Sequence, residues 1–315
     1  MKGIMGKIRG TTKLVARFYN GPEPAENFIA VPEEPVNGRL SRDISSSLIS
    51  PASSRHAAHE APFRTDPASQ AKSGPSPVRD DRSTGKALSL PRSSEFPLVL
   101  DHAQTIAAES FSILRSRLLG VHAKVGVRSV VITSAQAADG KTLVAANLSL
   151  SLGQLGAKRV LLVDGDLRIG NVSKIFDLSY VAGLSDFLQG LVPFEAVIRK
   201  TALPSLFVAP AGTTPKKVLP ELLQGPQWLE FLDIAKQKFD LIIVDTIPLS
   251  APVVDLELLT EPCDAVLVVV RMRQTTREAL KRVTARVDAR KFLGVVINNA
   301  DEIYEYDYGY IKAKK

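Results

Sequence analysis

The sequence predicts a doubly wound α/β domain with a mostly parallel sheet over residues 96–300, preceded by a disordered N-terminal region. Three observations indicate this class. Short apolar runs alternate with helical patterns, the runs are rich in β-branched residues without interrupting charges, and carboxylates follow two of them directly. The predicted strands span 129–133, 159–163, 206–209, 241–244, 265–270 and 294–297.

The first ordered helix is predicted over residues 103–119. Ala107, Phe111, Leu114 and Leu118 recur at the spacing of a single helical face. The domain should therefore begin with a helix that turns this apolar side towards the sheet.

Residues 1–95 are predicted to be a basic start followed by a disordered linker. The linker, about 20–95, is rich in Ser, Pro, Ala and Arg and has no sustained apolar periodicity. Such a segment buries too little apolar surface to offset its conformational entropy. The basic start is either a solvated tail or a helix, weakened by three glycines, that would suit an anionic membrane or acidic partner through Ile4, Ile8, Val15 and Phe18.

Composition limits the function classes. The net charge is +7, but five of the cations lie in the first 17 residues, so the excess belongs largely to the start of the chain. No apolar run is long enough for a transmembrane helix and no secretory signal is recognisable, which predicts a cytoplasmic protein. The folded part has no basic patch interleaved with aromatics, so we expect no nucleic-acid partner. The lone cysteine, Cys263, is expected to be a buried, inert thiol.

A strand, a loop and a helix form a candidate phosphate-binding site. The strand at 129–133 leads into a loop that ends in Gly140-Lys141-Thr142, and a helical pattern follows. In a Walker A motif, or P-loop, backbone N–H groups hold phosphate, the lysine reaches the β- and γ-phosphates, and the threonine hydroxyl reaches Mg²⁺. We predict that Mg-ATP is bound by Gln136, Ala137, Ala138, Asp139, Gly140, Lys141, Thr142 and Leu143.

Carboxylates at the ends of two predicted strands support the nucleotide site. Asp164 and Asp166 follow the strand at 159–163, and Asp245 follows the strand at 241–244. The carboxyl ends of parallel strands meet at the ligand crevice, so these acids should lie where a phosphate-bound metal would be. This support matters because the motif's usual first glycine is replaced here by Ala135.

From about residue 108 to the C-terminus, the sequence resembles the bacterial tyrosine kinases of capsule and exopolysaccharide synthesis. These are P-loop kinases whose fold is unrelated to that of eukaryotic protein kinases. Several ordered landmarks at family-like spacing are far more specific than any one motif. Besides the P-loop, they lie at 163–168, which looks like the family's second Walker motif, and at 183–188, 210–212, 221–223 and 240–246.

The resemblance implies an ATP-dependent protein-tyrosine kinase with three catalytic residues, Lys141, Asp164 and Asp166. Lys141 would stabilise the transferring phosphoryl group, and Asp164 would orient or deprotonate the incoming tyrosine hydroxyl. Mg²⁺ would be held by Thr142 and Asp166, with Asp245 positioning the metal or its water. A phenol, with a pKa of about 10, is easier to activate than an alcohol.

The end of the chain carries a tyrosine cluster. Four of the chain's six tyrosines are Tyr304, Tyr306, Tyr308 and Tyr310. Members of the family phosphorylate such a cluster in trans between neighbouring subunits. The alternative is an aromatic sheet edge or an adhesive tail, but tyrosines interleaved with acids make poor core material. We predict that residues 301–315 form a phosphoacceptor tail.

Two departures from the family pattern bear on activity and assembly. Ala137-Ala138-Asp139 stands where the family usually has Pro-Gly-Glu, and alanine takes positive φ less readily than glycine, which would weaken catalysis. The first-helix motif that helps assemble the family's ring retains Glu109 and Arg115 but has Ser112 in place of an arginine. Glu109 and Arg115 are predicted oligomer contacts, and the missing arginine puts ring assembly in doubt.

The resemblance also implies partners. The family's kinases work with a membrane adaptor that carries two transmembrane helices, and no such helices are recognisable in this sequence. We expect a separate adaptor that brings the kinase to the inner face of the cell membrane, a homo-oligomer and a protein-tyrosine phosphatase. The linker is expected to take part in docking to the adaptor.

Two other functions remain open on the sequence alone. A switch ATPase related to the ParA and MinD positioning proteins would share the fold, but its P-loop would carry a lysine in place of Gln136. A degenerate family member could bind ATP and regulate polysaccharide assembly as a scaffold, and the alanines of the P-loop favour that alternative. The sequence does not identify the polysaccharide, other protein substrates or the oligomer size.

Overall fold

Helices flank a sheet of eight strands in the computed structural model, which describes residues 14–18, 106–178, 181–213, 219–249 and 254–300. The strands are β1 Leu14–Phe18, β2 Ser129–Ser134, β3 Val160–Asp164, β4 Arg199–Lys200, β5 Leu206–Ala209, β6 Leu241–Asp245, β7 Ala265–Arg271 and β8 Phe292–Asn298. The helices are α1 Ile106–Val125, α2 Lys141–Leu155, α3 Asn171–Ile175, α4 Leu184–Leu188, α5 Phe194–Val197, α6 Leu219–Gln224, α7 Gln227–Lys238, α8 Val254–Thr260 and α9 Arg277–Thr284.

The strand order is β1-β8-β7-β2-β6-β3-β5-β4. All pairs from β8 to β5 are parallel, whereas β1 on β8 and β4 on β5 are antiparallel. Chain order reverses around β2, so the loops after β2, β3 and β6 open into one crevice, where α/β sheets bind ligands. This topology confirms the doubly wound class.

One face of the sheet is covered by α1 and α2. Phe111, Leu114 and Leu118 of α1 are buried against a core that includes Val130 and Ile132 of β2. These are among the positions whose helical spacing predicted the first helix. The helix ends at Val125, six residues beyond the predicted end, because apolar packing against the core continues past residue 119.

The opposite face carries an aromatic cluster centred on α7. Phe231 is fully buried and stacks on Trp228 with ring centroids 5.7 Å apart. Phe194 and Phe187 close the cluster at 5.0 and 5.5 Å from Phe231. Because both faces of the sheet are covered, its central strands are buried throughout, which explains their continuous apolar runs.

The six strands predicted from the sequence are all present, each within two residues of its expected ends. The antiparallel strand β4 was not predicted, because two charged residues carry no periodic signal.

The strand β1 corrects the prediction for the basic start. Residues 14–18 were expected in a weak helix or a solvated tail, but they form a strand along β8, with Leu14 opposite Asn298. The edge of β8 offers backbone hydrogen-bonding groups with which a segment rich in β-forming residues can pair. This stabilisation depends on a distant strand, so the periodicity of residues 14–18 alone does not reveal it. The predicted linker and the tyrosine tail lie outside the described residues.

None of the described helices has the length and hydropathy needed to cross a bilayer.

Candidate active site

The P-loop links β2 to α2 as predicted. The first helical hydrogen bond of α2 runs from the Val144 N–H to the Gly140 carbonyl, at 2.9 Å. Gly140 has φ of 97°, and a Cβ there would lie 2.0 Å from Asn298 Nδ2. Glycine is therefore required both by the backbone conformation and by the close approach of β8.

Ala138 adopts the left-handed conformation, with φ of 66°. This is the loop position at which the family usually has glycine. For a non-glycine residue this conformation costs about 1–2 kcal/mol. Ala138 therefore introduces local backbone strain into the segment that is predicted to bind phosphate.

Asp139 is buried and binds other parts of the protein. Its Oδ2 accepts a hydrogen bond from the Gln136 N–H at 2.8 Å, and its Oδ1 accepts one from Thr275 Oγ1 at 2.8 Å. Burial raises the pKa of Asp139, while the hydrogen bonds from Gln136 and Thr275 oppose the rise. The backbone N–H of Gln136, a residue predicted to bind nucleotide, is paired with this carboxylate.

Lys141 connects the loop to the acid at the end of β3. Its Nζ lies 3.5 Å from Asp166 Oδ2 and 3.3 Å from Thr142 Oγ1. The lysine side chain is 11% exposed, whereas that of Asp166 is 1% exposed. A cation, a hydroxyl and a carboxylate therefore meet beside the N-terminus of α2, as the sequence predicted.

Asp164 and Asp245 are brought side by side by the sheet. They are register partners at the ends of the parallel strands β3 and β6. Asp164 Oδ2 accepts hydrogen bonds from the Ser173 N–H at 2.8 Å and from Ser173 Oγ at 2.7 Å. Ser173 Oγ in turn accepts one from the Ala211 N–H at 2.9 Å. The predicted catalytic carboxylate is thus anchored to α3, a contact that sequence reasoning missed.

Several individual carboxylate oxygens of the site accept no hydrogen bond from the described residues. Within the described part of the chain, no hydrogen-bond partner is found for Asp164 Oδ1, Asp166 Oδ2 or either oxygen of Asp245. Burial raises the pKa of Asp164 to about 6, against the Ser173 hydrogen bonds that lower it. Burial also raises the pKa of Asp245 to about 7, although nearby Lys141 opposes the rise.

This donor set fits a divalent cation. Buried carboxylates are normally paired, and a cluster of such oxygens without hydrogen-bond donors, beside a threonine hydroxyl, is the ligand chemistry that Mg²⁺ prefers. Thr142, Asp166 and Asp245 are the residues that would hold it. The three residues belong to different parts of the chain, and the packing of β2, β3 and β6 brings them together.

Three residues near the P-loop were not predicted. Asn298 Nδ2 donates to the Asp139 carbonyl at 2.8 Å, and Arg271 Nη1 donates to the Ala138 carbonyl at 3.4 Å. Thr275, already noted at Asp139, is the third. All three lie at or just beyond the carboxyl ends of β7 and β8. Their position after two predicted strands is the one feature of the sequence that could have identified them.

The Arg115 side chain contacts a neighbouring helix of the same chain. Its Nη1 donates to the Ser151 carbonyl at 2.8 Å and to Ser151 Oγ at 2.9 Å. Ser112, which replaces the first arginine of the family's motif, donates to the Ala108 carbonyl. Arg115 therefore joins α1 to α2, while the oligomer contacts through exposed Glu109 and half-buried Arg115 both stay predictions. The four predicted phosphoacceptor tyrosines lie outside the described residues.

Several known proteins are similar to this chain in sequence and in fold. The AAA domain family matches residues 127–293. EpsB of Ralstonia solanacearum, described as a putative tyrosine-protein kinase, is 35% identical over 207 residues, which cover 64% of this chain and 27% of EpsB. The tyrosine-protein kinase CpsD of Streptococcus agalactiae is 32% identical over 185 residues, which cover 57% of this chain and 80% of CpsD.

A solved structure agrees with the sequence relatives. The kinase domain of the Escherichia coli tyrosine kinase ETK is 27% identical, with a TM-score of 0.60, and the match covers 70% of this chain and 94% of that domain. The match with CpsD covers most of that protein, whereas the chain spans about a quarter of EpsB. The P-loop, the strand-end carboxylates and these similarities together show that the chain belongs to the AAA domain family and, within it, to the bacterial tyrosine kinases.

Proposed function

We propose that this chain is an ATP-dependent protein-tyrosine autokinase that controls the assembly and export of an exopolysaccharide or capsule. The observation that carries the proposal is the convergence of Lys141 with the carboxylates of Asp164, Asp166 and Asp245 at the P-loop. Phosphoryl transfer requires mainly positioning and neutralisation of charge, and this cluster can supply both.

In this proposal the nucleotide is ATP, held by residues 136–143. The N-terminus of α2 and the loop amides other than that of Gln136 would hold the phosphates. Lys141, now paired with Asp166, would turn to the β- and γ-phosphates when ATP enters. Mg²⁺, bound by Thr142, Asp166 and Asp245, would neutralise charge on those phosphates.

The transfer step is a displacement at the γ-phosphorus. The tyrosine oxygen forms a new bond to phosphorus as the bond from phosphorus to the β–γ bridging oxygen breaks, and ADP leaves. The phenolic proton passes to a carboxylate. Asp164 suits this role because burial brings its pKa to about 6, near the working pH, and its Oδ1 has no partner in the described structure.

The acceptors in this proposal are Tyr304, Tyr306, Tyr308 and Tyr310 of a neighbouring subunit. Each phosphotyrosine adds about −1.5 to −2 charges. Several of them within one short tail would repel one another and the phosphates of the neighbour's site. Heavy phosphorylation should therefore release the tail and loosen the oligomer, and a protein-tyrosine phosphatase would reset it.

The proposed partner is a separate membrane adaptor that brings the kinase to the cytoplasmic face of the membrane. CpsD and ETK are named tyrosine kinases, which supports the activity but not this docking. The test is a deletion of residues 1–95. If the shortened protein still co-purifies with the adaptor at full yield, the proposed role of the linker in docking is wrong.

The kinase activity is tested by incubating the purified protein with Mg-ATP and mapping phosphotyrosine by mass spectrometry. Lys141→Met and Asp166→Asn are the matched variants, since each removes one charge of the same ion pair. We expect phosphate on the four tail tyrosines of the wild type and its loss in both variants.

The strained Ala138 favours a second candidate, an ATP-binding scaffold that does not transfer phosphate. A switch ATPase would likewise bind ATP and modify no tyrosine. Nucleotide binding without phosphotyrosine, with and without an adaptor's cytoplasmic tail, would support these alternatives, and ATP hydrolysis would then separate the switch from the scaffold.

A further inference from the structure

The contacts made by Asp139 form a clamp on the P-loop. We define the clamp as Thr275 and Asn298 together with the two groups of Asp139 that they hold. Thr275 Oγ1 donates to the Asp139 carboxylate at 2.8 Å, and Asn298 Nδ2 donates to the Asp139 carbonyl at 2.8 Å. Both groups of Asp139 are thereby tied to the ends of β7 and β8.

The clamp continues into the sheet on one side and into the loop on the other. Thr275 Oγ1 accepts a hydrogen bond from the Arg271 N–H at 2.8 Å, so its own proton is directed to Asp139. The second oxygen of Asp139 then accepts the Gln136 N–H at 2.8 Å. One side chain thus connects the end of β7 to the first turn of the loop.

Asp139 lies directly after Ala138, the strained residue of the loop. An alanine with φ of 66° drifts towards ordinary conformations unless its surroundings hold it. The hydrogen bond from Arg271 Nη1 to the Ala138 carbonyl and the two clamp contacts at the next residue oppose that drift. Asn298 fits only because position 140 is glycine, since a Cβ there would collide with Nδ2.

We propose that Thr275 and Asn298 are positioning residues of the P-loop, which hold Ala138 in the conformation that glycine adopts without strain. Neither residue is assigned a contact with nucleotide. The proposal rests on the proposed function only in taking this loop conformation to be the one that binds nucleotide.

Hydrogen exchange of the loop amides in the nucleotide-free, full-length protein tests the clamp directly. Thr275→Val keeps the shape of the side chain but removes the donor, and a lost hydrogen bond to a carboxylate should speed exchange over residues 136–140 about tenfold or more. Thr275→Ser restores the hydroxyl and should stay within about threefold of the wild type. Thr284→Val, which removes a hydroxyl bonded only within α9, is the matched control and should leave the loop unchanged.

The link to Ala138 is tested by a double-mutant cycle on the affinity for a fluorescent ADP analogue. Loss of the clamp lowers the fraction of loops that can bind, so Thr275→Val and Asn298→Ala should each weaken affinity about tenfold. In an Ala138→Gly background the same changes should cost about threefold or less, because glycine populates positive φ without help.

The outcomes separate the clamp from the proposed function. Unchanged loop exchange in Thr275→Val, or equal effects of the Val and Ser variants, would overturn the clamp. If the clamp variants weaken affinity by the same factor in the wild-type and Ala138→Gly backgrounds, the link to backbone strain is wrong. If exchange responds as expected but the wild type binds no ADP, the clamp stands and the proposed function fails.

Discussion

At the scale of single residues, the site is governed by buried carboxylates whose pKa values are raised. Asp245 is fully buried and lies beside Asp164, and the rise in its pKa is opposed mainly by nearby Lys141. Its pKa of about 7 means that the folded, metal-free protein retains a proton that the unfolded chain has already released. Between about pH 4, the ordinary pKa of aspartate, and pH 7, unfolding therefore releases a proton, so a rise in pH favours the unfolded state.

We expect Asp245→Asn to flatten the dependence of stability on pH. The stabilising effect of the raised pKa is fully present below about pH 4, the ordinary pKa of aspartate, and is lost as the pH rises through about 7. Thermal unfolding in EDTA from about pH 5 to 8 should show a steeper fall for the wild type than for the variant. Identical slopes would show that Asp245 ionises normally.

The residue scale also shows what the sequence could and could not predict about the site. Lys141, Thr142 and the strand-end acids were predicted because a P-loop and carboxyl strand ends have local signatures. Thr275 and Asn298 were not, since they reach Asp139 from 136 and 159 residues away. The hydrogen bond from the Gln136 backbone N–H to the Asp139 carboxylate could not be predicted either, because it depends on the conformation of the loop.

At the scale of elements, burial on both faces explains the strands that the sequence predicted. β2, β3 and β6 are buried at every position and therefore appear in the sequence as unbroken apolar runs. The edge strands β1 and β4 lack that signal, since their strand conformation comes from pairing with a neighbour. On the face of the sheet away from α1 and α2, α7 packs through its buried aromatic rings.

We predict that Phe231→Ala destabilises the fold by about 3–5 kcal/mol. The ring is fully buried and contacts Trp228, Phe187 and Phe194, so its removal leaves a cavity and breaks the aromatic cluster. Leu229→Ala on the same helix is the control, because Leu229 is 53% exposed. It should cost about 0.5 kcal/mol or less in urea unfolding. Similar costs for the two variants would contradict the assignment of the core.

At the scale of the whole molecule, the sheet brings distant segments to one end. The P-loop follows β2, the acids lie at or just beyond the ends of β3 and β6, and the clamp residues lie at or just beyond the ends of β7 and β8. The last described residue, Ala300, is four positions before the first tail tyrosine. The described chain therefore ends at the same end of the sheet as the P-loop.

Mixing two variants, neither of which can phosphorylate its own tail, tests this account most directly. One chain carries Lys141→Met with an intact tail, and the other carries an intact site with Tyr304, Tyr306, Tyr308 and Tyr310 changed to phenylalanine. After incubation with Mg-ATP, we predict phosphotyrosine on the tail of the Lys141→Met chain in the mixture, and none there when that chain is incubated alone. If the chain with the intact site binds ATP but the mixture contains no tail phosphotyrosine, the proposal that this site phosphorylates a neighbouring subunit is contradicted.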